Sequence, residues 1–165
     1  PMVKADANFI PAPAGTFDTI VCASLIEHVL DPMGLLLECM RVLKPGGILY
    51  LSFPPYYSPV GGHQFAPYHL LGQKFALRMA ARRRLYKQSS WLGERFDPSP
   101  QDYTKAFGDW GLYNMSFAKA RRLIKSLPVT VIKRATRYFP VDFSGIPIIG
   151  ELITWHVQFI LKKQR

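Results

Sequence analysis

The chain is short of several things, and each shortage narrows what it can be. It has two cysteines in 165 residues, Cys22 and Cys39. That is too few for a small disulfide-stapled domain, and their spacing fits no metal or redox motif. Two buried, reduced thiols in a cytoplasmic protein is the plain reading. No apolar run reaches transmembrane length. The most apolar late stretch, Ile146 to Leu161, is broken by Pro147, Glu151, His156 and Gln158. The opening residues, PMVKADANF, hold no basic segment leading into a long apolar one. There is no internal repeat and no low-complexity tract. Acidic residues are scarce beyond the first third: residues 1–55 carry three Lys/Arg against five Asp/Glu, but residues 56–165 carry eighteen against six.

What is present suits one folded domain. Hydrophobic residues make up 48% of the chain and the mean hydropathy is near zero, which excludes a disordered chain. The basic second part could face nucleic acid, anionic lipid or an anionic substrate, or be an ordinary solvated surface, and charge alone does not separate these.

The most informative stretch runs from Phe17 to Pro54. Phe17 to Cys22 is nearly all apolar and rich in β-branched residues, as expected of a strand buried on both faces. Asp31-Pro32 reads as a helix start, with an N-cap acceptor followed by a proline at the first helical position. Leu35, Leu36, Cys39 and Leu43 then recur at helical spacing. Lys44-Pro45-Gly46-Gly47 reads as the helix stop and turn, and Ile48 to Phe53 as a second buried strand. Strand, helix and strand joined by short connections predict a right-handed parallel crossover unit.

Taken together, FDTIV, LIEHVLDP, ECMRVLKPGG and ILYLSFP resemble the central part of class I S-adenosylmethionine-dependent methyltransferases, in their small-molecule (type 11 or ubiquinone-biosynthesis-like) branch. The resemblance is close over residues 1–54 and loose beyond them. It implies an α/β fold: a Rossmann-like, mostly parallel sheet with an antiparallel last strand, N-terminally truncated and carrying a loop-and-helix cap. It also implies S-adenosyl-L-methionine as methyl donor. Residues 1–54 would then form the donor-side core, 55–110 a cap on the acceptor side, and 111–165 the closing helix and strands.

The same resemblance nominates site residues. Asp6, in Ala5-Asp6-Ala7, matches the family's Asp at the end of its third strand, which accepts from the adenine amino group. Asp6 and Ala7 are therefore expected at the donor, with Met2 to Asp6 as a strand end. Cys22, Ala23 and Ser24 close the FDTIV strand, where the family lays backbone against the methionine part of the donor, with Leu25 nearby. Glu27-His28 is the usual pair of this branch, and His28 is one candidate acid/base. His63, in GGHQF, is the other. It shares a Pro/Gly-rich stretch with Tyr56, Tyr57 and Gln64, which can bond to or stack against an acceptor. His69 is an alternative. For each histidine the plain alternative is a structural one, bonded to backbone. No metal is expected, because relatives that bind magnesium use Glu-x-x-Glu-His with a later His, and Ser24 occupies the first of those positions; Glu27, His28 and His63 could form only a partial site.

One family feature is missing. The glycine-rich donor loop, an acidic residue and then G-x-G-x-G after the first strand, does not occur in these residues, nor does the acidic residue that binds the donor ribose. The chain also begins with what reads as mid-domain sequence. The expectation is the C-terminal portion of a longer methyltransferase acting on a small-molecule or lipid- or sugar-linked acceptor. The alternative is a truncated, non-catalytic module that binds anionic partners through its basic half. The run Arg82-Arg83-Arg84 has no aromatic RNA-binding signature around it. The segment after FDTIV is CASLIEH rather than a base-methylating N-P-P-Y. Nucleic acid is therefore not expected, while peripheral membrane contact through the basic helix is compatible with the charge.

The remainder reads as a helix over Tyr68 to Gln88 with Leu71, Phe75, Met79 and Tyr86 on one stripe, and an insertion over Ser89 to Asp109. A helix over Phe117 to Leu127 capped by Ser116 follows, then a strand over Val129 to Thr136. A loop over Pro140 to Gly150 precedes a last strand within Leu152 to Lys162.

Overall fold

The computed structural model describes residues 3–83, 112–137, 146 and 149–165. The expected insertion over Ser89 to Asp109, the basic segment beyond Arg83 and nearly all of the Pro140 to Gly150 loop lie outside these residues. Eight elements follow in order: β1 (Phe17–Ala23), α1 (Pro32–Val42), β2 (Leu43–Phe53), α2 (Gln73–Arg83), α3 (Phe117–Lys125), β3 (Val129–Arg137), α4 (Ile149–Ile153) and β4 (His156–Lys163). The strands form one sheet in the order β1-β2-β4-β3. β1 and β2 are parallel, as the crossover unit requires, and β4 runs antiparallel between β2 and β3.

Helices α1 and α3 each begin where a side chain satisfies a free N–H group. Asp31 accepts from Gly34 N through Oδ1 at 2.9 Å, ahead of Pro32 at the first turn. Ser116 accepts from Lys119 N at 3.1 Å. The far end of α1 is held from a distance in sequence: Lys163 Nζ donates to the carbonyls of Met40 and Leu43 at 2.6 and 2.7 Å. A cation on the last carbonyls of a helix offsets both their unmet acceptors and the negative end of the dipole. The main core lies between α1, α3 and the sheet. Leu36, Leu43, Leu49, Leu51, Phe53 and Leu161 are fully buried there.

Five expectations are corrected. β1 is not buried on both faces: Cys22 is turned into the core, but Val21 is 69% exposed. β1 pairs only with β2 among the described residues, so nothing described covers its outer side. The strand buried throughout its C-terminal end is β2, which has neighbours on both edges. Second, Lys44 to Gly47 does not separate helix from strand. β2 already starts at Leu43, which pairs with Phe17, and the next pair is Thr19 with Ile48. The extra residues bulge out, with Gly46 at φ +78° and Lys44 Nζ on the Asp18 carboxylate at 2.8 Å. Third, residues 3–6 join no sheet, and Asp6 makes only an isolated bridge to Phe9. Fourth, the segment after Tyr68 is a 3-10 turn over Tyr68–Leu71, a break at Gly72 (φ +97°), and then α2. Its buried face is Ala76 and Ala80 against Phe65 and Leu112, so the predicted stripe points away: Leu71 is 71% exposed. Small residues face inward because the helix lies close over Phe65. Fifth, the start of the expected last strand is the short α4, and β4 begins only at His156.

Candidate functional site

The carboxyl ends of the parallel strands β1 and β2 lie side by side, with Ala23 opposite Ser52. Ser24 N extends the ladder by donating to Ser52 O at 2.8 Å. The chain then turns sharply at Ser24, whose φ is +49°, and enters a 3-10 turn over Ile26–His28. The start of β4 reaches the same corner. Ser24 Oγ lies 3.3 Å from His156 Nε2.

After β2 the Pro/Gly-rich stretch is a chain of tight turns. Ser58 N donates to Pro55 O, Gly61 N to Ser58 O, His63 N to Val60 O and Phe65 N to Gly62 O, all within 3.2 Å. Glycine is needed at two positions for space. A Cβ on Gly61 would run into the Pro55 carbonyl, and one on Gly62 into the His69 ring. His63 sits at the end of this run with φ +49°. Ser24 and His63 are the non-glycine residues at positive φ among those described. Such strain persists only where the surroundings impose it, and it concentrates at functional sites.

These two turns meet at Glu27. Its side chain is buried, at 1% exposure, and neither carboxylate oxygen has a hydrogen-bond partner among the described residues. Both imidazole Nε2 atoms, of His28 and His63, lie 3.9 Å from the same Glu27 Oε1. The two rings pack edge to face with centroids 4.9 Å apart. The loop is fixed from outside by Tyr113 N donating to Glu27 O at 2.8 Å. Burial pushes the Glu27 carboxyl up to about 7. For His63, burial first, then the neighbouring His28 and His69, hold the imidazole down at about 4. Near neutrality His63 is thus a neutral base beside a carboxyl poised to gain or lose its proton.

The remaining nominated residues divide into two groups. Tyr56 and Tyr57 flank the turns: Tyr56 N donates to Met115 O at 3.0 Å, and Tyr57 Oη accepts from Asn114 Nδ2 at 3.1 Å. Burial, then the neighbouring Tyr57, raises the Tyr56 phenol. Gln64 lies on the His63–Phe65 turn, and its side chain is outside what the structure describes. His69 is buried, with Nε2 2.7 Å from Tyr56 O, which is the structural role open to any of the histidines. Cys22 faces the core and its thiol is pushed up to about 12 by burial, so it is inert; Ala23, Ser24 and Leu25 are exposed at the strand end. Asp6 and Ala7 stand apart, on the turn before β1, with Asp6 Oδ1 accepting from Asn8 N at 2.9 Å. That turn is roped to α1 by Ile10, which donates to Glu38 and accepts from Arg41.

Sequence reasoning grouped Glu27 with His28 and His63 only as an unexpected partial metal site, and it missed His156 as a neighbour of Ser24. Glu27 carried a signal, since it stood in the Glu-His pair. His156 carried none, because its proximity arises from a strand pairing 132 residues away in sequence.

Residues 1–51 match the family model of a methyltransferase domain. An uncharacterised methyltransferase of Mycolicibacterium vanbaalenii is 32% identical over 91 residues, spanning 55% of this chain and 36% of that protein. One from Mycobacterium ulcerans is 26% identical over 162 residues, spanning 96% of this chain and 57% of that protein. The chain thus covers about a third to somewhat over half of these curated relatives. Among solved structures, a SAM-dependent methyltransferase from Thermotoga maritima superposes with a TM-score of 0.52 at 16% identity, over 98% of this chain and 63% of that one. One from Methanosarcina mazei gives 0.52 at 18%, over 97% and 65%. At such identities the likeness is one of fold, and the fold is the Rossmann-like α/β one that the sequence implied.

Proposed function

Starting from this chain's kinship with the class I S-adenosylmethionine-dependent methyltransferases, we propose that it forms part of an enzyme that methylates a small-molecule or lipid- or sugar-linked acceptor. The observation that carries the reading is the meeting of Ser24, Glu27, His28 and His63 beyond the carboxyl ends of two adjacent parallel strands. Open α/β sheets bind their ligands at that edge. The donor, when bound, supplies a methyl group already activated by its sulfonium charge. What falls to the protein is holding, aligning and keeping water out.

The residues present fit a donor on one side. Ala23 and Ser24 offer small, exposed side chains and accessible backbone at the strand end, with Cys22 and Leu25 on either side. Asp6 has an exposed carboxylate on the turn before β1, and Ala7 beside it presents no bulk. The acceptor side falls to Tyr56, Tyr57, His63 and Gln64. His63 Nε2, with His28 as its edge-on neighbour and Glu27 behind both, is the atom assigned to take a proton from the acceptor.

The test is calorimetric titration of S-adenosylmethionine into the full-length gene product and its Asp6→Ala variant. Donor binding weakened about tenfold or more, roughly 1.4 kcal/mol, supports the assignment. Unchanged affinity removes Asp6 from the site, and no donor binding by the unaltered protein overturns the enzyme reading.

A further inference from the structure

We propose that Glu27, His28 and His63 bind a divalent transition-metal ion. Each offers one ligand atom, and the three atoms lie within 4.8 Å of one another. Both Nε2 atoms already converge on a single carboxylate oxygen, each at 3.9 Å. Ligands of a tetrahedral ion bound at about 2.1 Å are separated by about 3.4 Å, so the two Glu27–His distances need close by about half an ångström and the widest separation in the cluster by up to about 1.4 Å, a side-chain adjustment.

The buried carboxylate is the second, independent sign. Glu27 is walled off from water, yet both of its oxygens lack a hydrogen-bond partner among the described residues, as does the buried Nε2 of His63. A carboxyl group left this way is costly to bury, and coordination to a cation would offset that cost. The two imidazole side chains keep 31% and 24% of their surface exposed, so an ion can enter from solvent. The site is also built on scaffold. Glu27 and His28 leave the end of β1, His63 is held at φ +49° by the turns after β2, and Tyr113 pins the Glu27 backbone.

The donor set decides the class of ion. Two imidazole nitrogens and one carboxylate suit zinc, iron, cobalt or nickel, whereas magnesium prefers oxygen-rich sites. A second carboxylate at position 24 would shift that balance. Position 24 holds a serine instead, engaged with His156. The ion would sit at the carboxyl edge of the sheet beside Tyr56 and Tyr57, where it could polarise an oxygen or nitrogen of an acceptor; with the ion bound, His63 Nε2 is a ligand, and the proton transfer assigned to it belongs to the metal-free site.

The test uses chelator-treated protein titrated with Co²⁺, Zn²⁺ and Mg²⁺, read by calorimetry and by the visible absorption of bound Co²⁺. One equivalent of Co²⁺ and of Zn²⁺ should bind, with Mg²⁺ at least tenfold weaker. Glu27→Gln, His28→Asn and His63→Asn should each weaken Co²⁺ binding at least tenfold. Asparagine tolerates positive φ, so the last variant keeps the turn. Glu27→Gln removes a buried charge; should that variant not fold, the two histidine variants decide. Absence of stoichiometric Co²⁺ and Zn²⁺ binding, binding retained in both histidine variants, or a preference for Mg²⁺ would each overturn the proposal. The readout needs neither donor nor acceptor, so its failure leaves the methyl-transfer reading untouched.

Discussion

The floor and the wall of the candidate site meet at one carboxylate but are held by different forces. The floor is β1 and β2 with α1 beneath them. It rests on a continuous backbone ladder and on apolar side chains such as Leu36, Leu51 and Phe53, each fully buried. The wall is the run of turns from Pro54 to Leu71. Its buried members include Ser58, His69 and Phe65, and its bends rely on bare glycine backbone at Gly61 and Gly62. Apolar packing in the floor is nearly all gain, and so it can be strong without being exacting. The wall spends part of its packing on polar groups with few partners. The lesson is that the fold is stabilised in one place and the reactive groups are perturbed in another.

Several changes would break or sharpen that contrast. Phe53→Ala removes a fully buried aromatic stacked near Phe159 and should cost about 3–5 kcal/mol of global stability in urea unfolding. A loss under 1 kcal/mol would mean that the floor does not carry the fold.

In chelator-treated protein the place where floor and wall meet should reveal itself through pH. Glu27 titrates near 4.5 when unfolded and about 7 when folded, so its contribution falls as pH rises across that window, by about 3 kcal/mol in all. His63 does the opposite. Unfolded it takes a proton near 6.5 and folded only near 4, so its contribution falls by about 3 kcal/mol as pH drops through that window. Between about pH 4.5 and 6.5 the two slopes cancel. Glu27→Gln should therefore uncover stability that rises with pH from 4 to 6.5, and His63→Asn stability that falls from 4.5 to 7. Urea melts at stepped pH measure both, and parallel profiles for all three proteins would contradict the burial described.

Gly62→Ala should cost about 1–3 kcal/mol by forcing the His69 ring aside. The wall should give way first, seen as faster hydrogen exchange at Phe65 and Ala66 with β2 amides still protected. Uniform exchange would show floor and wall unfolding as one unit. The smallest effect should be Ser116→Ala, about 1 kcal/mol from the lost cap of α3, which lies in neither region and calibrates the others.

Local signals were legible wherever one element wrote its own rule. The Asp31-Pro32 start of α1 and the Ser116 cap of α3 are contacts within a single turn, so the residues themselves specify them. The apolar run of β2 likewise announced a buried strand. The stripe on the segment after Tyr68 misled, because large residues are usually the buried ones. There the residues buried against Phe65 are the alanines Ala76 and Ala80, with Leu77 partly buried beside them, and that packing is written nowhere in the segment. β1 misled for a related reason: an apolar run states that a strand can be buried, and its neighbours decide whether it is.

The sequence by itself determined the βαβ unit, its caps and the resemblance to methyltransferases, since each rests on residues close along the chain. Only the tertiary structure decided that Glu27 is the hub. Its meeting with His63 depends on β1 and β2 pairing in parallel, so that two turns 36 positions apart leave the same edge. The placement of His156 beside Ser24 depends on β4 inserting antiparallel next to β2. Register is a property of paired strands, and a single strand does not carry it.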